Sequence, residues 1–255
     1  MSNILAIARK ELRSYFASPI AYVVIGLFAL VFGYFYVAMV YLFVGQSMQM
    51  SQMMGGGPMN VNQQLIRYVL QNAAVVLLFV LPMITMRAYA EEKRSGTIEL
   101  LLTSPISDLQ IIAGKFLGAM ALYALMLAVT LIHIALLFAY GNPEWRPIAS
   151  GYLGLLLLGG CFIAVGLLIS SFTKNQIVAG VITFVVFLMF WVVDWMTNFA
   201  PPGVGSLLNY LSITSHLEDF AKGVIDTKHV IYYLSFITFG LFLTSKAVDS
   251  ERWRG

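Results

Sequence analysis

The chain has 255 residues, of which 60% are hydrophobic and 11% charged, with a formal net charge of +3 and a mean hydropathy of +0.84. Soluble domains carry roughly 25% charged residues, so a water-facing surface is excluded, and no basic run is dense enough for nucleic acid. The single cysteine, Cys161, lies in an apolar stretch, which excludes a disulfide framework or a cysteine metal cluster.

In chain order, residues 3–17 read as an amphipathic interfacial helix: Ile4, Leu5, Ala8, Leu12, Tyr15 and Phe16 recur at helical spacing, with Arg9, Lys10 and Arg13 between them. Ser18-Pro19 breaks it. A spanning helix needs about 20 apolar residues, and six stretches nearly free of charge reach that length: 20–44, 68–86, 116–140, 150–172, 177–198 and 230–248. The first is too long for a cleaved signal peptide. Lys and Arg fall unevenly on the two sides, 11 with the termini and 4 on the opposite side. The expectation is a single transmembrane domain over 1–255, with both termini cytoplasmic.

Between the first two spans, residues 45–64 form a loop rich in Met and Gly. Met48, Met50, Met53 and Met54 are soft thioether ligands of the kind that hold Cu(I). No His or Cys accompanies them, and Gly55-Gly56-Gly57-Pro58 marks a flexible tip, so no metal site is assigned.

The segment 87–107 is the most patterned connection. Arg87–Arg94 carry three basic and two acidic groups, Ser95-Gly96 marks a turn, and Thr97–Leu102 place Ile98, Leu100, Leu101 and Leu102 on a short helix. An exposed apolar face on a charged loop needs cover, either lipid or a protein partner. Ser107-Asp108-Leu109-Gln110 has capping-box spacing and opens a proline-free stretch to Tyr140. At about 1.5 Å per residue that helix exceeds the hydrocarbon thickness and projects beyond it. Its Gly114–Gly118 pair permits close helix approach.

Residues 199–229 read as an extracytoplasmic segment of one or two interfacial or re-entrant helices. They start at Pro201-Pro202-Gly203, with capping-box spacing between Ser215 and Glu218. Trp191 and Trp195 suit anchoring at the interface.

Chemistry within the chain is sparse. Gly114-Lys115 is followed by Phe116 and lacks the glycine of a phosphate-binding loop five positions earlier. Polar features inside the spans are Gln71 and Asn72, which open the second, His133, midway along the third, and Asp194, near the outer end of the fifth. Asn72, His133 and Asp194 are pathway candidates, and each also suits an ordinary interhelical hydrogen bond.

The stretch EEKRSGTIELLLTSPISDLQIIAGK (Glu91–Lys115) resembles the first coupling segment of type-2 ABC exporter permeases. ARKELRSYFASPIAYV (Ala8–Val23) is similar to their entry helix, and Ser212–Thr244 with the tail SERWR resembles the branch named for gliding-motility permeases. The resemblance implies six spans and no ATPase activity in this chain. It implies two separate cytoplasmic ABC ATPases that bind ATP and Mg, and a second permease copy or paralogue. A membrane protein with a large extracytoplasmic domain often accompanies that branch. The expected site is the ATPase contact. Glu91, Glu92, Arg94 and Glu99 form its charged rim, Ile98 and Leu101 fill the groove, Gly96 and Thr97 make the turn, and Lys174 sits in a smaller second contact. The expected function is export in a bacterial inner membrane, against a non-transporting motility or envelope anchor and an ion-driven carrier as alternatives. The Met-rich loop is not part of that pattern.

Overall fold

The computed structural model of the chain describes residues 2–52, 60–102, 105–197 and 199–252, and every regular element among them is helical. In chain order these are α1 (Ser2–Ala17), α2 (Ile20–Gln52), a π-helical turn (Asn62–Ile66) that runs into α3 (Arg67–Thr85), α4 (Ala90–Ser95), α5 (Thr97–Leu102), α6 (Asp108–Tyr140), α7 (Trp145–Ser171), α8 (Gln176–Met196), α9 (Pro202–Leu211), α10 (Leu217–Ala221) and α11 (Thr227–Arg252). Among the described residues, six helical stretches are long and apolar enough to cross a membrane: Ile20–Gln52, Asn62–Ser95, Asp108–Tyr140, Trp145–Ser171, Gln176–Met196 and Thr227–Ser250.

Apart from Met86, Phe172 and Thr197 at the ends of the second, fourth and fifth, and residue 198, which lies outside the described residues, the expected spans lie inside these helices, which extend beyond most of them. α2 runs to Gln52, past the expected end at residue 44, because Gly45 and the polar Gln46–Gln49 stretch contain no proline to stop it. Met48 and Met50 therefore stand exposed on a helix, while Met53 and Met54 lie outside the described residues. The capping box that opens α6 is formed: Ser107 Oγ accepts from Gln110 N at 3.4 Å, and the Gln110 side chain accepts from Ser107 N at 3.3 Å. The second capping box, expected at Ser215 and Glu218, is not. Ser215 Oγ donates instead to the carbonyls of Asn209 and Ser212, and Glu218 turns to Arg67 and Lys222.

α7 is the centre of the bundle. Glycines line it, and each lets a different neighbour come close: Leu70 of α3 lies over Gly151, Phe220 of α10 over Gly154, Tyr123 of α6 over Gly159, Ile237 of α11 over Gly160 and Thr85 of α3 over Gly166. Between spans the surrounding lipid is as apolar as leucine, so close packing and interhelical hydrogen bonds hold the helices together rather than escape from water. Tyr123 donates to Leu155 O at 2.6 Å, Ser150 Oγ to Phe220 O at 2.7 Å, and the Thr130 and Tyr152 hydroxyls meet at 2.7 Å. Cys161 is buried in this core.

α1 does not stand alone at the bundle surface. It packs along the first turns of α6, where Ile7 sits over Gly114 and Glu11 over Gly118. The glycine pair noted in the sequence is the seat of α1. α1, α4 and α5 gather at one end of the bundle, and α9 and α10 at the other, where Arg67 at the start of α3 pairs with Glu218 of α10.

Candidate functional site: a buried charge junction beneath the α4–α5 segment

α4 begins with no side-chain cap of its own. Its first backbone donors are met from another helix: Ser170 Oγ of α7 accepts from Tyr89 N at 3.0 Å and Ala90 N at 3.1 Å, and donates to Met86 O at 3.1 Å. A hydroxyl in that position satisfies the orphan N–H groups of a helix start.

Below α4 the structure buries a lysine. The Lys115 side chain, on α6, is 1% exposed. Its Nζ lies 3.1 Å from Glu11 Oε1 of α1 and 2.8 Å from Glu92 Oε2 of α4, and donates to Ala88 O at 2.7 Å. It also stands over the Tyr89 ring, 5.0 Å from the centroid. Lys10 reaches the same cluster from the rim, 3.0 Å from Glu92 and 3.5 Å from Glu11. Burial lowers the pKa of Lys10, but Glu92 and Glu11 more than offset it, so its ammonium is held above the ordinary 10.5. A charge out of water is tolerated only when paired and hydrogen-bonded, and Lys115 is both. Three helices are thereby tied at one point.

A second tie closes the corner. The Arg87 guanidinium donates through Nε and Nη2 to the two oxygens of Glu91, at 2.7 and 2.9 Å, and through Nη1 to Ser18 Oγ at 2.9 Å. Tyr15 of α1 donates to Ile84 O of α3 at 3.0 Å.

Above the junction, Gly96 ends α4 in the left-handed region at φ 73°, where a glycine stop is cheapest. The Ser95 and Thr97 hydroxyls meet at 2.9 Å across the turn into α5. On α5, Leu100 is 73% exposed and Glu99 is exposed. Arg94 and Lys174 come together with Asn175, Gln176 and Ile177 around a cleft of about 520 Å³. Asn175 caps α8, its Oδ1 accepting from Ile177 N at 2.9 Å.

Several positions differ from the sequence expectation. Glu92, expected on the rim, is turned inward onto Lys115 and Lys10, with its side chain 14% exposed. Glu91 is engaged by Arg87. Ile98, expected to be free for a groove, packs partly buried against the bundle, and Leu100 takes the outward position. The Leu101 side chain lies outside what the structure describes. Asn72 bonds back to its own helix, its Nδ2 donating to Tyr68 O at 2.8 Å. His133 packs beside Gly33 between the rings of Phe32 and Tyr36, at 5.5 and 5.3 Å. Asp194 lies at the opposite end, accepting from Ser212 Oγ at 2.7 Å in the wall of a cavity of about 320 Å³ that Gln71, Trp191 and Asn209 also line.

Sequence reasoning missed Glu11, Lys115 and Ser170. The available signal was faint: Glu11 is the one acid in a basic α1, and Lys115 is the one cation between the opening turn of α6 and Tyr140.

A nearly all-helical chain with six such helices and a charged junction at one end is a multi-pass membrane protein. Over residues 5–248 it matches the family described as ABC-2 family transporter protein, and it belongs to that family. Members are the transmembrane subunit of ABC transporters, and ATP hydrolysis is done by a partner. The chain is also similar to the probable multidrug ABC transporter permease YbhR of Escherichia coli strain K12 and of strain O157:H7, with 32% identity over 103 residues in each case. That match covers 40% of this chain and 27% of each relative.

Proposed function

We propose that this chain is the permease subunit of a type-2 ABC exporter in a bacterial inner membrane, driven through the α4–α5 segment by a separate ATPase. The observation that carries the reading is the Lys115 junction, because it joins α4 to α6, a helix of 33 residues, and to α1. A displacement of α4 is then passed to a helix that traverses the whole bundle, since packed elements move as units rather than deform.

In this reading two ATPases bind ATP and Mg and close on the cytoplasmic side, where 11 of the 15 Lys and Arg residues fall with the two termini. Arg94, Glu99, Leu100 and Lys174 meet the ATPase; Glu91, Glu92, Thr97 and Ile98 shape the segment from behind; Gly96 makes its turn. Leu101 belongs to the same contact. A second permease copy or paralogue completes the pathway, and the resemblance of Ser212–Thr244 to the gliding-motility branch adds a companion with a large extracytoplasmic domain. The apolar groove along α3 and α8, of about 430 Å³ and lined by Phe79, Met83, Met86, Val181 and Phe184, suits an amphipathic cargo, in keeping with the multidrug wording in the name of the Escherichia coli relatives.

The test uses Arg94→Glu with Leu100→Asp in the full chain, purified with its native companions. The expected result is a loss of co-purifying ATPase of at least about tenfold, as for removal of an interface anchor. Undiminished assembly together with undiminished ATP turnover overturns the assignment.

A further inference from the structure

At the end of the bundle away from Lys115, the chain bends between α9 and α11, and three ionisable side chains meet in the bend. His216, just before α10, and His229, in the first turn of α11, face each other through their Nδ1 atoms at 2.8 Å. His229 Nε2 lies 2.8 Å from Oδ2 of Asp219, on α10, and His216 Nε2 lies 3.2 Å from the backbone oxygen of Tyr210, on α9. Each histidine is 6% exposed.

The protons of this chain can be counted. The Tyr210 carbonyl only accepts, so His216 Nε2 carries a hydrogen. The Asp219 carboxylate only accepts, so His229 Nε2 carries another. The contact between the two Nδ1 atoms requires a third. Two neutral imidazoles supply two N–H groups between them. Three bonds therefore need one additional proton, and the carboxylate balances its charge. With that proton removed, one contact sets two acceptors face to face. With a second one added, two N–H groups confront each other between two cations. Either arrangement leaves a buried polar contact unmade, which is costly.

We propose that Asp219, His229 and His216 form a one-proton binding site that latches the α9–α10 corner onto α11, and that the latch opens when the proton is lost or a second is gained. The corner matters because Asn209, Thr214, Ser215, Leu217 and Glu218 supply one wall of the 320 Å³ cavity whose other wall is α3 and α8. Moving the corner opens that cavity.

The surroundings leave the three groups as the titrating set. Lys222 stands 4.0 Å from Asp219 and is paired more closely with Glu218, at 2.9 Å; Glu218 also holds Arg67 of α3. Lys228 is paired with Asp226 at 3.0 Å. Asp194 of α8 is reached through Ser212. From α11 the hydroxyls of Tyr232 and Tyr233 donate to Leu211 O and Ile213 O, both at 2.8 Å, and from α7 Cys161 meets Tyr233 O at 3.5 Å. These bonds flank the histidine pair without supplying its missing hydrogen.

Burial, with repulsion from His229 and Lys228, holds His216 below the ordinary 6.5 despite its bond to Tyr210. The sign follows: His216 binds a proton less readily in the folded corner than in an unfolded chain, so its contribution is whole above about 6.5 and is lost as pH falls below that value.

The experiment follows hydrogen exchange in residues 209–229 of the full chain in lipid nanodiscs, between about pH 5 and about pH 9, corrected for the intrinsic pH dependence of amide exchange. Protection is expected to peak in the middle and to fall by about tenfold on each side. Asp219→Asn replaces the carboxylate with a carboxamide that donates to His229 Nε2, so all three bonds close on neutral rings. The alkaline loss of protection should vanish in that variant while the acid loss stays. Nitrogen NMR of histidine-labelled wild type should show one imidazolium in the coupled pair near neutral pH. Flat protection in the wild type, an alkaline loss that persists in Asp219→Asn, or two neutral rings beside an unprotonated carboxylate would each overturn the proposal. The readout is on the permease alone, so its failure is separate from any failure of ATPase coupling.

Discussion

Lys115 shows how one residue sets the character of a junction. Its ammonium has two carboxylates and a carbonyl within 3.1 Å, and its side chain is 1% exposed. Removing one partner of a buried pair leaves the others uncompensated at a cost of about 3 kcal/mol or more. Lys115→Met is therefore expected to lower the unfolding free energy by about that amount in detergent melts. Adding Glu11→Gln and Glu92→Gln should recover a good part, since no carboxylate is then left buried without its lysine, and Lys10, which loses its partners, is 59% exposed and stays in water. A triple variant no more stable than the single one counts against a buried charge cluster. Lys10 gives a pH arm to the same junction. Its folded pKa lies above 10.5, so its contribution is complete below that value and declines as pH rises through the folded one. Limited proteolysis should find α1 resistant up to about pH 10 and progressively cleaved beyond it.

Among the elements, α1 is the one whose role changes between sequence and structure. Its apolar stripe suggested a helix resting in the lipid interface, yet Ile7 and Glu11 are seated on Gly114 and Gly118 of α6. Side chains at either glycine meet the α1 backbone or Cβ atoms, which have no room to yield: a Cβ on Gly118 would stand 2.7 Å from Glu11 Cβ and 3.2 Å from Ala8 O. Gly118→Val should cost about 1–3 kcal/mol, as overpacking does, and raise hydrogen exchange throughout residues 2–17 while α7 stays protected. Uniform loosening of the bundle would instead mean that α1 is not a separately seated element. The same logic of small residues governs α7, where glycines admit side chains from α3, α6, α10 and α11.

For the whole molecule, the two ends of the bundle carry different chemistry. One end has α1, α4 and α5 with the lysine junction, and the other has the α9–α10 corner with the histidine pair. Single cysteines introduced at Arg9 and Lys174 should react with an impermeant maleimide from one side of a sealed membrane, and one at Lys228 from the other, by the distribution of positive charge. Labelling of Arg9→Cys and Lys228→Cys from a common side would overturn both the span count and the proposed orientation.

The number of spans, the capping box at Ser107, the stop at Gly96 and the length of α6 were legible in the sequence, because each depends on local composition and on spacing along one helix. So was the position of the α4–α5 segment. Which of its side chains face outward was not. Glu92 and Ile98 look like surface residues until α1, α6 and α7 are set around them: Glu11 is 104 residues from Lys115 along the chain, and Ser170 is 81 from Tyr89. The histidine pair joins positions separated by a bend whose path is fixed by Tyr232, Tyr233 and Asp194. Periodicity reports how a helix meets its surroundings on average. Pairing between charges on different helices depends on their crossing points, and only the tertiary structure supplies those.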